Sequence, residues 1–120
     1  MRRSEGAGAE EKPKILVFDN LEIEVENRIV RLDGQRVELT PKEFDLLVLL
    51  ASAPGRSYSR GNLLEFVWGN HFEGYEHTIN SHINRLRSKI EADPSVPHFI
   101  LTTWGVGYRF NDAIEPKHKP

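Results

Sequence analysis

The 120-residue chain contains no cysteine. That excludes a disulfide framework and a thiolate metal site, and it fits a cytoplasmic protein. Long apolar runs are missing as well. The longest, "LLVLLA" at 46–51, falls far short of the ~18 residues that span a bilayer. No signal-peptide-like apolar region stands near the start. Strong net charge is also absent, the total being -2. Residues 1–54 hold 8 Lys/Arg against 11 Asp/Glu, and residues 55–110 hold 6 against 5. Any anion-binding surface must therefore be local and must lie in the second half. Five histidines are present without an HExxH pair. His77 and His82 stand ~140° apart on a helix, so they do not share an ion, and no metal is expected. No carboxylate pair or nucleophile–base arrangement stands out. Neither catalytic residues nor a cofactor are expected. "GVG" at 105–107 lacks the helix that a phosphate loop needs.

What is present is regular. Residues 1–14, rich in Gly, Ala and Glu, read as a disordered linker or tail. Residues 15–39 hold four short alternating runs: "ILVF", "LEIEV", "RIVRL" and "QRVEL". Asp33-Gly34 between the last two is a strong hairpin signal. Four such strands form an antiparallel sheet with one apolar face. The next segment covers that face. Thr40 caps a helix, Pro41 takes its first position, and Glu43 completes a capping box. Phe44, Leu47, Val48 and Ala51 share its stripe. A second helix starts at Ser59, points Leu63, Leu64 and Val67 inward, and stops near Trp68-Gly69. A third spans 76–92, stopped by Asp93-Pro94. "HFILTTWGVGYRF" at 98–110 is a terminal hairpin, and residues 111–120 read as a second tail. The class is α+β. Helices two and three plus the hairpin make a winged helix-turn-helix over residues 15–110.

The third helix carries the most information. At ~100° per residue, Ile79, Ile83, Leu86 and Ile90 fall within about 60° of one another. Opposite them lie His77, Ser81 and Ser88, with Asn84 and Arg85 to either side. Thr78, His82 and Lys89 flank one edge, and Asn80 and Arg87 the other. An ordinary solvated face mixes charge signs for i,i+4 support. This one has no Asp or Glu from His77 to Lys89. Its Asn, Arg, Ser, Thr and His side chains suit phosphates and base edges. The bland alternative is a solvated surface with no ligand.

Four segments resemble the effector domains of the OmpR/PhoB family of bacterial response regulators: "LTPKEFDLL" at 39–47, "SRGNLLEFVWG" at 59–69, "HTINSHINRLRSKIE" at 77–91 and "TTWGVGYRF" at 102–110. Their order and spacing also agree. The resemblance implies a four-stranded N-terminal sheet, three helices and a C-terminal hairpin wing, with the third helix in the DNA major groove. It implies base contacts from Asn80, Ser81 and Arg85. Phosphate contacts would come from Thr78, His82, Asn84 and Arg87, and from Arg60 and Trp68 on the second helix. The wing would reach the minor groove around Thr102, Thr103 and Trp104. The loop after the second helix would meet RNA polymerase through Asn70, His71, Phe72, Glu73, Gly74 and Tyr75. Further implied partners are double-stranded DNA carrying direct repeats about one helical turn apart, and a receiver domain.

Three departures lower the positive charge. His77 and Asn84 stand where members often have Arg, and Trp104 where some carry a minor-groove Arg. A shallower salt dependence of DNA binding is expected. The family's receiver domain has no room in this chain, so an excised effector domain or a receiver-less regulator is expected, and the linker-like opening favours excision. A winged helix used as a protein-interaction module is the alternative function.

Overall fold

The computed structural model describes residues 14–69 and 77–117. The first strands are β1 (Ile15–Phe18), β2 (Leu21–Glu24), β3 (Ile29–Leu32) and β4 (Gln35–Val37). Each pairs antiparallel with the next. Alternation sorts their side chains. Leu21 and Ile23 are buried while Glu22 and Glu24 are not, and Ile23 sits opposite Val30. Asp33 and Gly34 both take left-handed backbone, with φ of 54° and 79°. That is what a two-residue turn matched to the strand twist requires.

Helix α1 (Pro41–Ala51) lies over this sheet, and both halves of its capping box form. The Glu43 N–H donates to Thr40 Oγ1 at 3.2 Å, and the Thr40 N–H donates to Glu43 Oε1 at 3.0 Å. Phe44, Leu46, Leu47, Leu50 and Ala51 are buried. Val48, expected on the same stripe, is half-buried. Helix α2 (Arg60–Trp68) is capped by Ser59, whose hydroxyl accepts from the Asn62 N–H at 3.0 Å. Leu63 is fully buried. Leu64 and Val67 pack only on the edge of the core.

Helix α3 (His77–Ile90) docks through Ile79, Ile83, Leu86 and Ile90, all buried. The expected start at Glu76 lies outside the described residues. The helix ends at Ile90, before the expected residue 92, and Glu91 supplies the reason. Its buried carboxylate turns onto the next strand and accepts from the backbone N–H groups of His98, Phe99 and Ile100 at 2.7–3.1 Å. Three donors converge on one side chain and pull the chain out of the helix.

The hairpin is β6 (Ile100–Thr103) and β7 (Gly107–Phe110). Two further strands join it and the first sheet. β5 (Tyr58–Ser59) pairs with β7, making the wing sheet three-stranded, and β8 (Pro116–Lys117) pairs with β1, making the first sheet five-stranded. Residues 111–117 therefore do not hang free as the tail reading has it. Ile114 is buried, and Pro116 sits on an edge strand, where a missing N–H is tolerated. Lys14, assigned to the opening tail, also bonds β2's end, its carbonyl accepting from the Val25 N–H at 3.0 Å. Of the two hairpin glycines, Gly105 has the turn backbone, φ 81°. Gly107 serves a different need, because a Cβ there would lie 2.0 Å from the Tyr58 carbonyl oxygen. No described helix is long and apolar enough to cross a membrane.

Candidate nucleic-acid interface

The outer face of α3 rises from the docked seam. Ser81, Asn84, Arg85 and His77 are exposed, and Asn80 and Thr78 are half-exposed. Ser81 and Arg85 are four residues apart on one side of the helix, so their side chains stand one turn above the other. Glu91, the first acid after the helix, is buried and bonded to backbone. From His77 to Lys89 the face presents donors and one free-standing guanidinium, with no carboxylate among them.

His82 is held at its edge. Its Nδ1 lies 2.9 Å from the Thr78 carbonyl oxygen, and its ring meets Trp68 edge-on with centroids 4.8 Å apart. A carbonyl only accepts, so Nδ1 carries the proton. The Nε2 atom is then a donor only when the ring is charged. Trp68, closing α2, is braced from the other side. Lys42 Nζ lies 5.5 Å from its ring centroid and bonds the Val67 carbonyl at 3.0 Å. The helix pair thus brings Trp68, Thr78 and His82 together.

Arg87 is placed differently. Its Nε and Nη2 donate to the Ile100 carbonyl at 3.1 and 2.9 Å, and Nη2 also meets Thr102 Oγ1 at 3.0 Å. Its guanidinium carbon lies 5.3 Å from the Tyr108 ring centroid. Burial pulls its pKa below the ordinary value, against the raising influence of Tyr108 and Glu91. Arg87 ties the helix to the wing. Thr103 is engaged likewise: its hydroxyl lies 2.8 Å from Ser57 Oγ and accepts from Arg109 Nη1 at 3.0 Å. Lys89 leaves the outer face for the core edge, with Nζ 2.6 Å from Glu43 Oε1.

At the wing tip Trp104 is 89% exposed and Val106 half-exposed. A groove of about 380 Å³ runs between the wing and the helices, bordered by Arg60, Asn80, Thr102, Trp104 and Tyr108. The structure adds one residue to the site. The Tyr108 ring packs at the core edge, as strand alternation with Phe110 implies, but its hydroxyl reaches the groove and donates to Asn80 Oδ1 at 2.7 Å. The signal was the residue type, since a half-buried Tyr needs a partner for its hydroxyl where Phe does not. Asn70, His71, Phe72, Glu73, Gly74 and Tyr75 lie outside the described residues.

A helix docked by one side, offering donors on the other and flanked by a hairpin, is the arrangement of a groove-reading winged helix. The family model described as "Transcriptional regulatory protein, C terminal" matches residues 34–110.

The chain belongs to the OmpR/PhoB family of response-regulator effector domains.

Among the relatives of this effector domain, SphR of Synechococcus elongatus, an alkaline phosphatase synthesis transcriptional regulatory protein, is 46% identical over 109 residues, covering 91% of this chain and 42% of SphR. The response regulator DrrB of Thermotoga maritima, an OmpR/PhoB homologue, superposes with a TM-score of 0.77 at 36% identity, over 87% of this chain and 46% of DrrB. The Klebsiella pneumoniae RstA DNA-binding domain, solved in complex with the RstA box, gives a TM-score of 0.74 at 34% identity, over 82% of this chain and 97% of that domain. The chain spans less than half the length of the curated relatives it matches.

Proposed function

We propose that this effector domain binds double-stranded DNA sequence-specifically and so regulates transcription. One observation carries the reading: α3 is fixed by four buried apolar side chains and presents an exposed, acid-free donor face beside a wing. In the proposal α3 enters the major groove. Asn80, Ser81 and Arg85 meet base edges, and Arg85 is the side chain able to pair bidentately with guanine. Thr78, Asn84, Arg60, Trp68 and His82 meet phosphates. Arg87, Thr102 and Thr103 hold the wing in register, with Arg87 acting through the hairpin. Trp104 at the tip meets the adjacent minor groove.

Beyond the DNA contact, the proposal has the loop of Asn70–Tyr75 meeting RNA polymerase. Phe66, 57% exposed on α2, supports a protein contact near that end of the helix. It also has a receiver domain controlling pairing on direct repeats in a longer protein. Selection from a pool of random duplexes tests the DNA reading. Recovery of one short motif is expected. A pool that stays random after several rounds would leave the protein-interaction alternative standing.

A further inference from the structure

The Asn80 amide bears on which base this domain reads. Asparagine at a groove-facing position pairs best with adenine, its Oδ1 accepting from N6 while its Nδ2 donates to N7. That pairing needs both ends of the amide turned to the same base edge. Here Oδ1 already accepts from the Tyr108 hydroxyl at 2.7 Å. Both residues border the one groove between α3 and the wing.

Tyr108 is itself fixed from two sides. Its backbone pairs with Tyr58 on β5 and with Thr102 on β6. The Arg87 guanidinium, bonded to the Ile100 carbonyl, stands beside its ring. A phenol is a better donor than acceptor, because its oxygen lone pair is delocalised into the ring. A neighbouring cation draws the ring's electrons further and strengthens the O–H as a donor. The hydrogen bond therefore runs from Tyr108 to the amide oxygen, which fixes which end of the amide is which. Oδ1 keeps a second lone pair, but the phenol sets the plane of the amide, and bidentate pairing requires that the base set it. Among the described residues none accepts from Nδ2.

We propose that Tyr108 is a specificity-determining positioning residue: its hydroxyl fixes the plane of the Asn80 amide with Nδ2 as the end offered to the base, so that Asn80 reads an acceptor, purine N7, guanine O6 or thymine O4, without the bidentate pairing that singles out adenine. This rests on the DNA reading given above. The lock couples the base-reading helix to the wing, since the side chain that sets the Asn80 amide stands on β7.

The test compares motifs selected from random duplexes by the wild-type domain, Asn80→Ala, Tyr108→Phe and the double variant. The position whose preference Asn80→Ala erases is the one that Asn80 reads. The wild type should show no preference for adenine over guanine there. Tyr108→Phe keeps the ring and removes only the hydroxyl, so adenine at that position should gain at least about fivefold, the lower end of what a bidentate contact discriminates. The other positions should stay as in the wild type, and the double variant should show no preference at the Asn80 position. A second readout needs no DNA: the Asn80 side-chain amide signals in a nitrogen–proton NMR spectrum should move in Tyr108→Phe. Adenine already selected by the wild type overturns the proposal. So does a Tyr108→Phe motif identical to the wild-type one, or an unmoved Asn80 amide signal. In those cases the DNA reading stands. If no motif emerges from any variant, both fall.

Discussion

Glu91→Ala removes one of the side chains that join α3 to the wing, and its effect follows from three backbone donors. The carboxylate accepts from the N–H groups of His98, Phe99 and Ile100. Phe99 and Ile100 are buried, while His98 is exposed and water can replace its bond. Two donors are then left buried without an acceptor, at about 1–3 kcal/mol each. A loss of about 4 kcal/mol is expected, a large part of the ~5–15 kcal/mol that holds a domain together. With a urea slope of ~1–3 kcal/mol per molar, the unfolding midpoint followed by circular dichroism should fall by roughly 2 M. Glu91→Gln should fall about half as far, because one carboxamide oxygen can still accept while the NH2 group faces donors. A loss below about 1 kcal/mol for Glu91→Ala, at unchanged slope, would refute the claim that this carboxylate anchors β6 to α3.

Three further outcomes follow from other parts of the domain. Gly107→Ala puts a methyl group 2.0 Å from the Tyr58 carbonyl, so β5 must part from β7; a loss of at least about 2 kcal/mol in urea is expected, and an unchanged midpoint would contradict the close approach. Burial raises the Glu43 pKa, but the Lys89 hydrogen bond and charge and the Thr40 bonds outweigh it and hold it below the ordinary carboxylate value. Its contribution to stability is therefore present above the unfolded pKa of ~4.3 and is lost as pH falls through the lower folded value. In Lys89→Met, with burial opposed by less, the loss should begin at higher pH, and urea midpoints that run parallel to wild type from pH 7 to 3 would contradict this. The salt dependence of DNA affinity should be shallow, with a log–log slope of about -3 to -5 at ~0.9 per phosphate, because Arg87 is engaged within the domain and positions 77, 84 and 104 carry His, Asn and Trp and no arginine. A slope near -8 would need at least about three more neutralised phosphates, more than Arg87 alone could add, and would contradict this reading.

Local chemistry made much of this fold legible in sequence. Thr40 and Glu43 form a capping box because a spacing of three lets each side chain reach the other's backbone N–H. The isoleucine seam of α3 is buried residue for residue, since helical periodicity and burial are the same constraint. The unread parts depend on neighbours distant in the chain. Tyr58–Ser59 and Pro116–Lys117 are strands only because β7 and β1 offer open edges to them, and two residues carry no period. Arg87 looks like any other cation on the outer face, yet the end of β6 lies within its reach. The Asn80–Tyr108 bond joins residues 28 positions apart, a distance over which spacing is silent.

The central claim is that the exposed face of α3 reads bases, and Arg85 tests it most directly. Arg85 is exposed, and among the described residues its side chain holds no bond, only its backbone carbonyl accepting from Ser88, so Arg85→Ala should leave folding untouched. On the duplex selected by the wild-type domain, fluorescence anisotropy of Arg85→Ala should show affinity weaker by about 1–3 kcal/mol, with discrimination relaxed at one base pair. Unchanged affinity and unchanged discrimination would contradict the account and turn attention to the protein-facing surfaces.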